Sequence, residues 1–417
     1  MKSPLSTFLN DRRVQKIQSV ADAKDIARRR VPASVFQMFE AGSGSNTTAI
    51  RNEEVLSEVH FRPRNAVFKP HEDLSTTVLG HRISMPLIIS SVGFLGVAHS
   101  DGEAGVARAA GEAGTIQFVS GVTNTPIEEI MANATGPVFY QLYYVGGRDA
   151  SAPIIDRIKR AGVEGLVLTV DTPTVARPKD TLWTERRAVP ADVSLKELAK
   201  FAPQVVTKLE WALDIARSNG VKMPDIEMAL RANGSPMGFW EGIGKIYEET
   251  PTWEDLPWIR NHWDGPIILK GILTVEDAER AAREGVDAIV VSNHGGNVLD
   301  GSVPTLPELP KIVDAVGDRV EVLFDSGVRR GTDVLKALSL GAKAALLGRG
   351  YVYPLMAAGE AGVHHILGLF RQQISEGLTF LGADSIHDLD PSYLSIPASW
   401  ARLEDVRSEV TEPQQLV

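Results

Sequence analysis

The chain has no cysteine, and this absence removes several kinds of chemistry at once. Without thiols there are no disulfides, no thiolate metal sites and no cysteine nucleophile. Basic residues are in the minority, since 43 Lys and Arg stand against 53 Asp and Glu and give a formal net charge of -10. This balance excludes a general nucleic-acid binder, which would show a basic excess or a basic stripe. Anionic ligands are still possible, because a phosphate site needs only local cations.

Long apolar runs are also missing. No stretch of about 18 apolar residues occurs, which is the length that a transmembrane helix requires. The N-terminus turns charged at Asp11-Arg12-Arg13 before any apolar segment of the signal-peptide type appears. We therefore expect no membrane segment and a cytoplasmic protein. Hydrophobic residues make up 43% and charged residues 23%, which is ordinary for a globular chain.

Short apolar segments bounded by turn residues recur along the chain and predict strands. They are Pro86–Ser90, Thr115–Ser120, Val138–Tyr143, Gly165–Asp171, Pro266–Gly271, Ala288–Asn293, Val320–Gly327 and Ala344–Arg349. Most are continuous Val, Ile and Leu runs, as expected for parallel strands covered on both faces. Segments with helical spacing lie between them, such as Gly102–Ala113, Ala152–Ala161, Val275–Glu284 and Gly331–Leu340. This repeated alternation predicts an α/β protein with a closed TIM (β/α)8 barrel rather than an open doubly wound sheet.

The segments outside the barrel suggest how the chain is divided. Residues 1–80 are predicted to form N-terminal helices and a cap, residues 81–390 the barrel, and residues 391–417 a C-terminal tail. A long insertion, 177–260, follows the fourth barrel strand and contains an amphipathic helix pattern over Leu195–Ala216. Because it leaves the catalytic end of a barrel, it is a candidate lid or substrate wall. Its large aromatic residues are expected to pack in the core or an interface: Trp183, Trp211, Phe239, Trp240 and Trp253.

Polar side chains stand at the ends of most of the predicted strands. They are Ser120, Gln141, Tyr143, Thr169, Asp171, Lys270, Ser292, His294, Asp325 and Arg349. Barrel active sites are built at the C-terminal ends of the strands. A single polar residue there often does no more than reach water, but the recurrence over consecutive strands predicts one common site.

The last two barrel strands end in sequences that suit a phosphate. Asp325-Ser326-Gly327-Val328-Arg329-Arg330-Gly331 follows the seventh strand and Gly348-Arg349-Gly350 the eighth. Barrels commonly bind phosphate with these two loops and a helix N-terminus. Glycines such as Gly327 and Gly348 let backbone N–H groups approach, while Arg329 and Arg349 supply charge-assisted bonds. Asp325 would then bind ribityl or ribose hydroxyls.

The sixth, fifth and fourth strands end in residues that suit proton and charge transfer. His294 stands in Ser292-Asn293-His294-Gly295-Gly296 and can act as a general base, with Asp171 as its partner across the rim. Lys270 could form a Schiff base, hold a phosphate or stabilise an anionic cofactor. The combination with a His base and a separate phosphate site favours the third role, with a reduced flavin as the anion.

These segments resemble the FMN-dependent α-hydroxy-acid oxidases and dehydrogenases, a family that includes glycolate oxidase, lactate oxidase and mandelate dehydrogenase. The resemblance covers roughly residues 30–390 and is carried by Val291-Ser292-Asn293-His294-Gly295-Gly296, Leu269-Lys270-Gly271, Thr169-Val170-Asp171, Gln141-Leu142-Tyr143 and the seventh-strand motif. It implies FMN as cofactor, His294 as base, Asp171 as its partner and Tyr143 as a hydroxyl on the substrate side. The residues expected to hold the flavin and its ribityl phosphate are Ser90, Ser91, Ser120, Gln141, Thr169, Lys270, Ser292, Asp325, Gly327, Arg329, Gly348 and Arg349.

Two positions depart from the family pattern, both where the substrate carboxylate is bound. Asn297 stands where the family has an arginine after the glycines, and Met38 replaces an N-terminal tyrosine. Losing a charged bidentate contact should weaken carboxylate binding by a few kcal/mol. Arg177, in Thr172-Pro173-Thr174-Val175-Ala176-Arg177-Pro178, is a possible substitute anchor.

One branch of the family, the pre-mycofactocin synthases, is similar at further segments. They are Trp253-Glu254-Asp255, Asn293-His294-Gly295-Gly296-Asn297-Val298-Leu299-Asp300-Gly301 and Ser385-Ile386-His387-Asp388-Leu389. This likeness implies oxidative deamination of a peptide-derived cyclic amine to an α-keto amide, with oxygen or another acceptor taking the electrons. The wider family suggests a homo-oligomer, a tetramer or an octamer.

Other functions stay open at this point. The chain could be an ordinary L-α-hydroxy-acid oxidase that anchors its carboxylate elsewhere. It could also be a flavin-binding module without turnover. A metal hydrolase is disfavoured, because the 9 histidines show no ligand spacing beyond His364-His365.

Overall fold

The N-terminal region consists of four helices that precede the barrel. In the computed structural model, the described residues are 4–67, 73–144, 146–173, 203, 205–216, 224, 227–228 and 250–400. The helices are α1 (Pro4–Val14), α2 (Val20–Arg30), α3 (Ala33–Glu40) and α4 (Thr47–Glu58). Ser19 caps α2 by accepting from the backbone N–H of Asp22, and Pro32 stands at the N-cap of α3. Pro32 therefore opens a helix, as its fixed φ and missing N–H favour.

A small hairpin closes one end of the barrel. After the short strand β1 (His60–Phe61), the strands β2 (Thr76–Val78) and β3 (His81–Ile83) pair antiparallel. Val78 and Ile83 are fully buried and belong to the same apolar cluster as the barrel interior. The backbone N–H of Leu79 donates to Oε2 of Glu321 at 2.9 Å, at the start of a barrel strand. The hairpin thus covers the N-terminal ends of the strands and leaves the C-terminal ends for chemistry.

Eight parallel strands form a closed barrel, which confirms the predicted fold class. They are β4 (Leu87–Ile89), β5 (Gln117–Ser120), β6 (Val138–Leu142), β7 (Gly165–Thr169), β8 (Ile267–Ile272), β9 (Ala288–Val291), β10 (Glu321–Phe324) and β11 (Ala344–Leu347). Each lies within one of the eight segments that the sequence predicted, apart from the last residue of β8. The ring closes where β11 pairs with β4.

Side chains of these strands alternate between two apolar clusters. Ile88 and Phe118 belong to the cluster inside the barrel, whereas their neighbours Ile89 and Val119 belong to the layer under the helices. Both directions are apolar, which explains the continuous hydrophobic runs. Inside, Phe118 and Phe139 stack with ring centroids 5.5 Å apart.

Helices alternate with the barrel strands and cover them. They are α5 (Leu95–Ala98), α6 (Gly102–Glu112), α7 (Ile127–Asn133), α8 (Gly147–Ala161), α9 (Leu209–Ile215), α10 (Leu256–His262), α11 (Val275–Arg283), α12 (Thr305–Val316), α13 (Gly331–Ser339) and α14 (Arg349–Leu381). The last of them changes direction at Ala358 and Gly359, whose backbone angles are not helical. The final strand, β12 (Leu394–Ser395), pairs with β1. No helix within the described ranges is long and apolar enough to cross a membrane.

The insertion after β7 is described only in part. A turn at Thr207 and Lys208 precedes α9, so the continuous helix predicted over Leu195–Ala216 is wrong in this portion. Trp211 of α9 is buried and donates from Nε1 to the carbonyl of Val97 at 2.9 Å, and Trp253 packs against the core. These two tryptophans are packing residues, as predicted. Trp183, Phe239, Trp240 and Arg177 lie outside the described residues.

Candidate active site at the C-terminal ends of the strands

A histidine and an aspartate from different strands form a hydrogen-bonded pair. His294 follows β9 and its Nδ1 lies 3.0 Å from Oδ1 of Asp171, which follows β7. Burial raises the pKa of Asp171, but the His294 imidazole and the Lys270 ammonium outweigh it and hold that pKa below its ordinary value. The carboxylate is therefore ionised and keeps the proton of His294 on Nδ1. The other ring nitrogen, Nε2, is left as a base.

The backbone around this pair has unusual conformations that bring the loops together. His294 has φ of +58° and the following Gly295 has φ of +65°. Gly271 has φ of +111°, and a Cβ there would lie 2.5 Å from Cβ of Asp171. A side chain at 271 would therefore displace the partner of the base.

Lys270 lies at the centre of a second buried network. Its Nζ is 3.0 Å from Oδ2 of Asp325 and donates to Oγ of Ser292 at 3.0 Å. Both Lys270 and Asp325 are buried, so their charges are weakly screened. The carboxylate of Asp325 is thus the counter-charge of Lys270, and its predicted role toward sugar hydroxyls stays a prediction.

Ser326 belongs to this network and was missed from the sequence. Its hydroxyl donates to Oδ1 of Asp325 at 2.7 Å and accepts from the backbone N–H of Gly295 at 3.1 Å. The residue has φ of +80°, an unusual value for serine. The only sequence feature that could have pointed to it is its place beside Asp325 after the strand.

Several buried polar atoms at the same rim have no hydrogen-bond partner among the described residues. Gln141 donates from its amide nitrogen to Oγ1 of Thr169, but its Oε1 accepts nothing. Oγ of Ser91 and Oδ2 of Asp171 likewise have no hydrogen-bond partner among the described residues. Buried polar atoms are nearly always satisfied, so these point to a polar ligand. The edge of a flavin ring carries the donors and acceptors that would satisfy them.

The other two residues predicted for the flavin edge have intramolecular partners. The hydroxyl of Ser120 accepts from the backbone N–H of Val122 at 3.2 Å. The carbonyl of Ser90 accepts from the hydroxyl of Tyr351 at 3.0 Å, which fixes the loop after β4.

The phosphate end combines open space with two engaged arginines. A Cβ on Gly348 would meet nothing within 4 Å, so the backbone there faces free space. Arg329 donates to Oε1 of Glu53 at 2.7 Å. Arg349 donates to the backbone carbonyls of Phe39, Ala41 and Gly295 at 2.9, 3.1 and 2.7 Å. Arg349 thus joins α3 and its C-cap residue to the loop after β9, which carries His294 and is called the loop of the base below.

Gly327 is required for packing. It has φ of +94°, and a Cβ there would lie 2.3 Å from the carbonyl oxygen of Asn52 in α4. Asn52 also exchanges two hydrogen bonds of 2.8 Å with the side chain of Asn293, next to the base. Sequence reasoning missed this amide pair, because nothing in the local sequence connects α4 with the loop after β9.

Three residues predicted to contact the substrate, Asn297, Met38 and Tyr143, are described by the structure and carry no cationic side chain. Asn297 is exposed, and its backbone N–H donates to the carbonyl of His294 at 3.2 Å. Met38 packs against the hydrophobic core, and Tyr143 is half-buried. Among the described residues at this end of the barrel, the cations Lys270, Arg329 and Arg349 all have partners.

Comparison with known proteins agrees with this geometry. Residues 27–396 match the FMN-dependent dehydrogenase family. Pre-mycofactocin synthase of Mycobacterium tuberculosis (strain H37Rv) is 40% identical over 388 residues, covering 92% of this chain and 96% of that protein. L-lactate dehydrogenase of Actinobacillus pleuropneumoniae (serotype 5b, strain L20) is 38% identical over 379 residues, covering 89% and 97%.

Solved structures show the same likeness. The monotopic membrane protein (S)-mandelate dehydrogenase superposes with a TM-score of 0.82 at 31% identity, covering 92% of this chain and 100% of that one. A mandelate oxidase variant with 2-hydroxy-phenylacetamide superposes with a TM-score of 0.71 at 31% identity, covering 91% and 98%.

Proposed function

Because the chain belongs to the FMN-dependent dehydrogenase family and is an FMN-dependent oxidoreductase, we propose that its substrate is a neutral molecule oxidised at a carbon bearing an OH or NH2 group. The observation that carries this proposal is the pair of replacements Asn297 and Met38 at the carboxylate end. Asn297 is uncharged and exposed, and Met38 packs against the core. Neither side chain offers a carboxylate a charged partner, and the predicted substitute anchor, Arg177, lies outside the described residues.

The reacting carbon is activated by the histidine pair. His294 Nε2 takes the proton from the substrate heteroatom or from the carbon, while Asp171 stabilises the imidazolium that results. FMN, when bound, would supply the acceptor for the two electrons that the carbon loses. Lys270 would provide a positive charge that stabilises the reduced flavin, and its pairing with Asp325 holds the ammonium in place.

The remaining polar residues hold the cofactor. Ser90, Ser91, Ser120, Gln141, Thr169 and Ser292 surround the ring end, and the unsatisfied Oε1 of Gln141 and Oγ of Ser91 support this role. Gly327, Arg329, Gly348 and Arg349 serve the phosphate end. The arrangement leaves the half-buried Tyr143 to contact the substrate.

Within this class, oxidative deamination is the more specific proposal. The 40% identity with pre-mycofactocin synthase over 92% of the chain supports an amine substrate whose C–N bond becomes C=N and is hydrolysed to a ketone and ammonia. The L-lactate dehydrogenases at 38% identity support the competing proposal of a hydroxy acid as substrate.

Anaerobic reduction of the flavin separates these proposals. Wild-type protein would be mixed with mandelate, its amide, and the amide of phenylglycine, and the loss of yellow colour followed. We expect mandelate to react at least about tenfold more slowly than the faster of the two amides, because its carboxylate lacks a charge-assisted contact worth about 1.5–3 kcal/mol. Reaction of the amino amide but not the hydroxy amide would support deamination.

The variant N297R is the matched test of the carboxylate argument. Restoring a cation at this exposed position should accelerate mandelate while leaving the amides nearly unchanged. Rapid reduction of the wild type by mandelate, with no gain in N297R, would favour an ordinary hydroxy-acid oxidase. Absence of reduction by every donor, together with no sulfite adduct, would favour a flavin-binding module.

A further inference from the structure

A glutamate lies at the phosphate end of the site, where a negative charge opposes the expected ligand. Arg329 donates to Oε1 of Glu53 at 2.7 Å, and both line a cleft of about 1030 Å³ between α4 and the loops after β10 and β11. We propose that Glu53 competes with the phosphate of FMN for Arg329 and so weakens cofactor binding. This inference rests on the proposed function, which places the phosphate beside Arg329.

Two of the five N–H donors of the Arg329 guanidinium are engaged by described residues. Its Nη2 is engaged by Glu53, and its Nη1 donates to the carbonyl of Val328 at 2.9 Å. A phosphate is held best by two parallel N–H donors of one guanidinium. A phosphate that approaches Nη2 from the side of Glu53 therefore meets a carboxylate that is already bound there. The side chain of Glu53 is 50% exposed and that of Arg329 is 18% exposed, so Glu53 is the partner that can be displaced.

A shift of helix α4 cannot move Glu53 away from Arg329. The neighbouring Asn52 is tied to Asn293 by two hydrogen bonds of 2.8 Å, and its carbonyl lies directly over Gly327. Further along α4, the carbonyl of Leu56 accepts from Nζ of Lys336 at 2.5 Å. The helix is thus fixed against both the loop of the base and the phosphate loop. Only rotation of the Glu53 side chain can separate the two charges.

The charges at the phosphate end determine whether Glu53 weakens or strengthens FMN binding. A phosphate monoester carries close to two negative charges at neutral pH. Arg349, the other arginine of this end, is already bound to three backbone carbonyls. A carboxylate on Arg329 thus offsets the positive charge that the phosphate would meet, and adds repulsion. Riboflavin has no phosphate, so Glu53 should not affect its binding.

The test compares flavin binding by the wild type and the variants E53Q and E54Q. Glu54 is the neighbour in sequence and pairs with Arg51, which makes E54Q the matched control. Purified holoprotein would be diluted, and release of FMN followed by the rise of flavin fluorescence. Flavin-depleted protein would then be titrated with FMN and with riboflavin, each at low and high salt.

We expect E53Q to bind FMN roughly tenfold more tightly at low salt, which is about 1.4 kcal/mol and lies between the bulk-water and near-surface values for two unit charges in contact. The gain should shrink at high salt because screening weakens it. E54Q should match the wild type, and all three proteins should bind riboflavin alike. Unchanged or weaker FMN binding by E53Q would overturn the proposal, and so would an equal gain for riboflavin. Failure of the wild type to bind either flavin would instead contradict the proposed function.

Discussion

Two residues with positive φ lie close together at the proposed catalytic base, His294. His294 has φ of +58° and Ser326 has φ of +80°, conformations that cost non-glycine residues about 1 kcal/mol or more each. The backbone N–H of Gly295, which follows the base, donates to the hydroxyl of Ser326 at 3.1 Å, so the two strained positions support each other. Strain that the surrounding contacts hold in place is typical of a preorganised site. It fixes His294 before substrate arrives.

A buried glutamate beneath the flavin loops gives a prediction about pH. Glu103 accepts from the backbone N–H groups of Leu95 and Asn124 and from the hydroxyl of Thr125, and it joins the loops after β4 and β5. Burial raises the pKa of Glu103 above its ordinary value of 4.5 despite these hydrogen bonds. A raised folded pKa means that the folded state binds the proton more tightly. This stabilisation is complete below pH 4.5 and is lost as pH rises through the folded pKa.

The variant E103Q keeps nearly the same side-chain shape at position 103 but has no group there that can titrate. As pH rises above 4.5, we expect the free energy of unfolding of the wild type to fall relative to that of E103Q. The fall should be up to about 1.4 kcal/mol per pH unit until the folded pKa is reached. Urea unfolding at a series of pH values measures the difference. A constant difference between the two proteins from about pH 4 to about pH 8 would show that folding does not raise the pKa of Glu103.

At the scale of elements, α4 is the common support of two functional loops. Asn52 binds Asn293 in the loop of the base, and the α4 backbone packs against Gly296 and Gly327 too closely for any side chain. The helix lies outside the barrel, yet it fixes the positions of the base and the phosphate loop. Any change that moves α4 should therefore affect both ends of the site.

Replacing Gly327 with alanine tests this support. The added Cβ would lie 2.3 Å from the carbonyl of Asn52 at a φ of +94°, so we expect a loss of about 2–4 kcal/mol in unfolding free energy. Gly301→Ala is the control, because its φ is +87° and its Cβ would meet nothing within 4 Å. It should cost only about 1 kcal/mol. Equal losses of unfolding free energy in the two variants would mean that the contact of Gly327 with α4 does not contribute to stability.

What the sequence could predict depended on local patterns. The eight strands were found because a parallel strand buried on both faces reads as a continuous apolar run, and His294, Asp171 and Lys270 because barrel sites lie at strand ends. The Asn52–Asn293 and Glu53–Arg329 pairs join residues 241 and 276 positions apart. Such pairs depend on how α4 packs, which no local pattern records. The pairing of Asp325 with Lys270 likewise depends on side-chain directions inside the closed barrel.

At the scale of the whole molecule, the cofactor should contribute to stability. FMN contacts loops after most barrel strands in the proposed function, and it binds only the folded chain. Binding at a free concentration about 100 times the dissociation constant stabilises a fold by about 2.7 kcal/mol. We therefore expect removal of FMN to lower the melting temperature and added FMN to restore it. An unchanged melting temperature would contradict a cofactor held by so many loops.

The assignment of His294 as the base is tested most directly by flavin reduction in the variant H294A. The donor that reduces the wild type fastest, among the two amides and mandelate, would be mixed with each protein without oxygen. A general base contributes about 10²–10⁴-fold to rate. We predict that H294A is yellow, carries FMN at the wild-type level and is reduced at least about 100-fold more slowly. Reduction of FMN-loaded H294A at the wild-type rate would contradict the account.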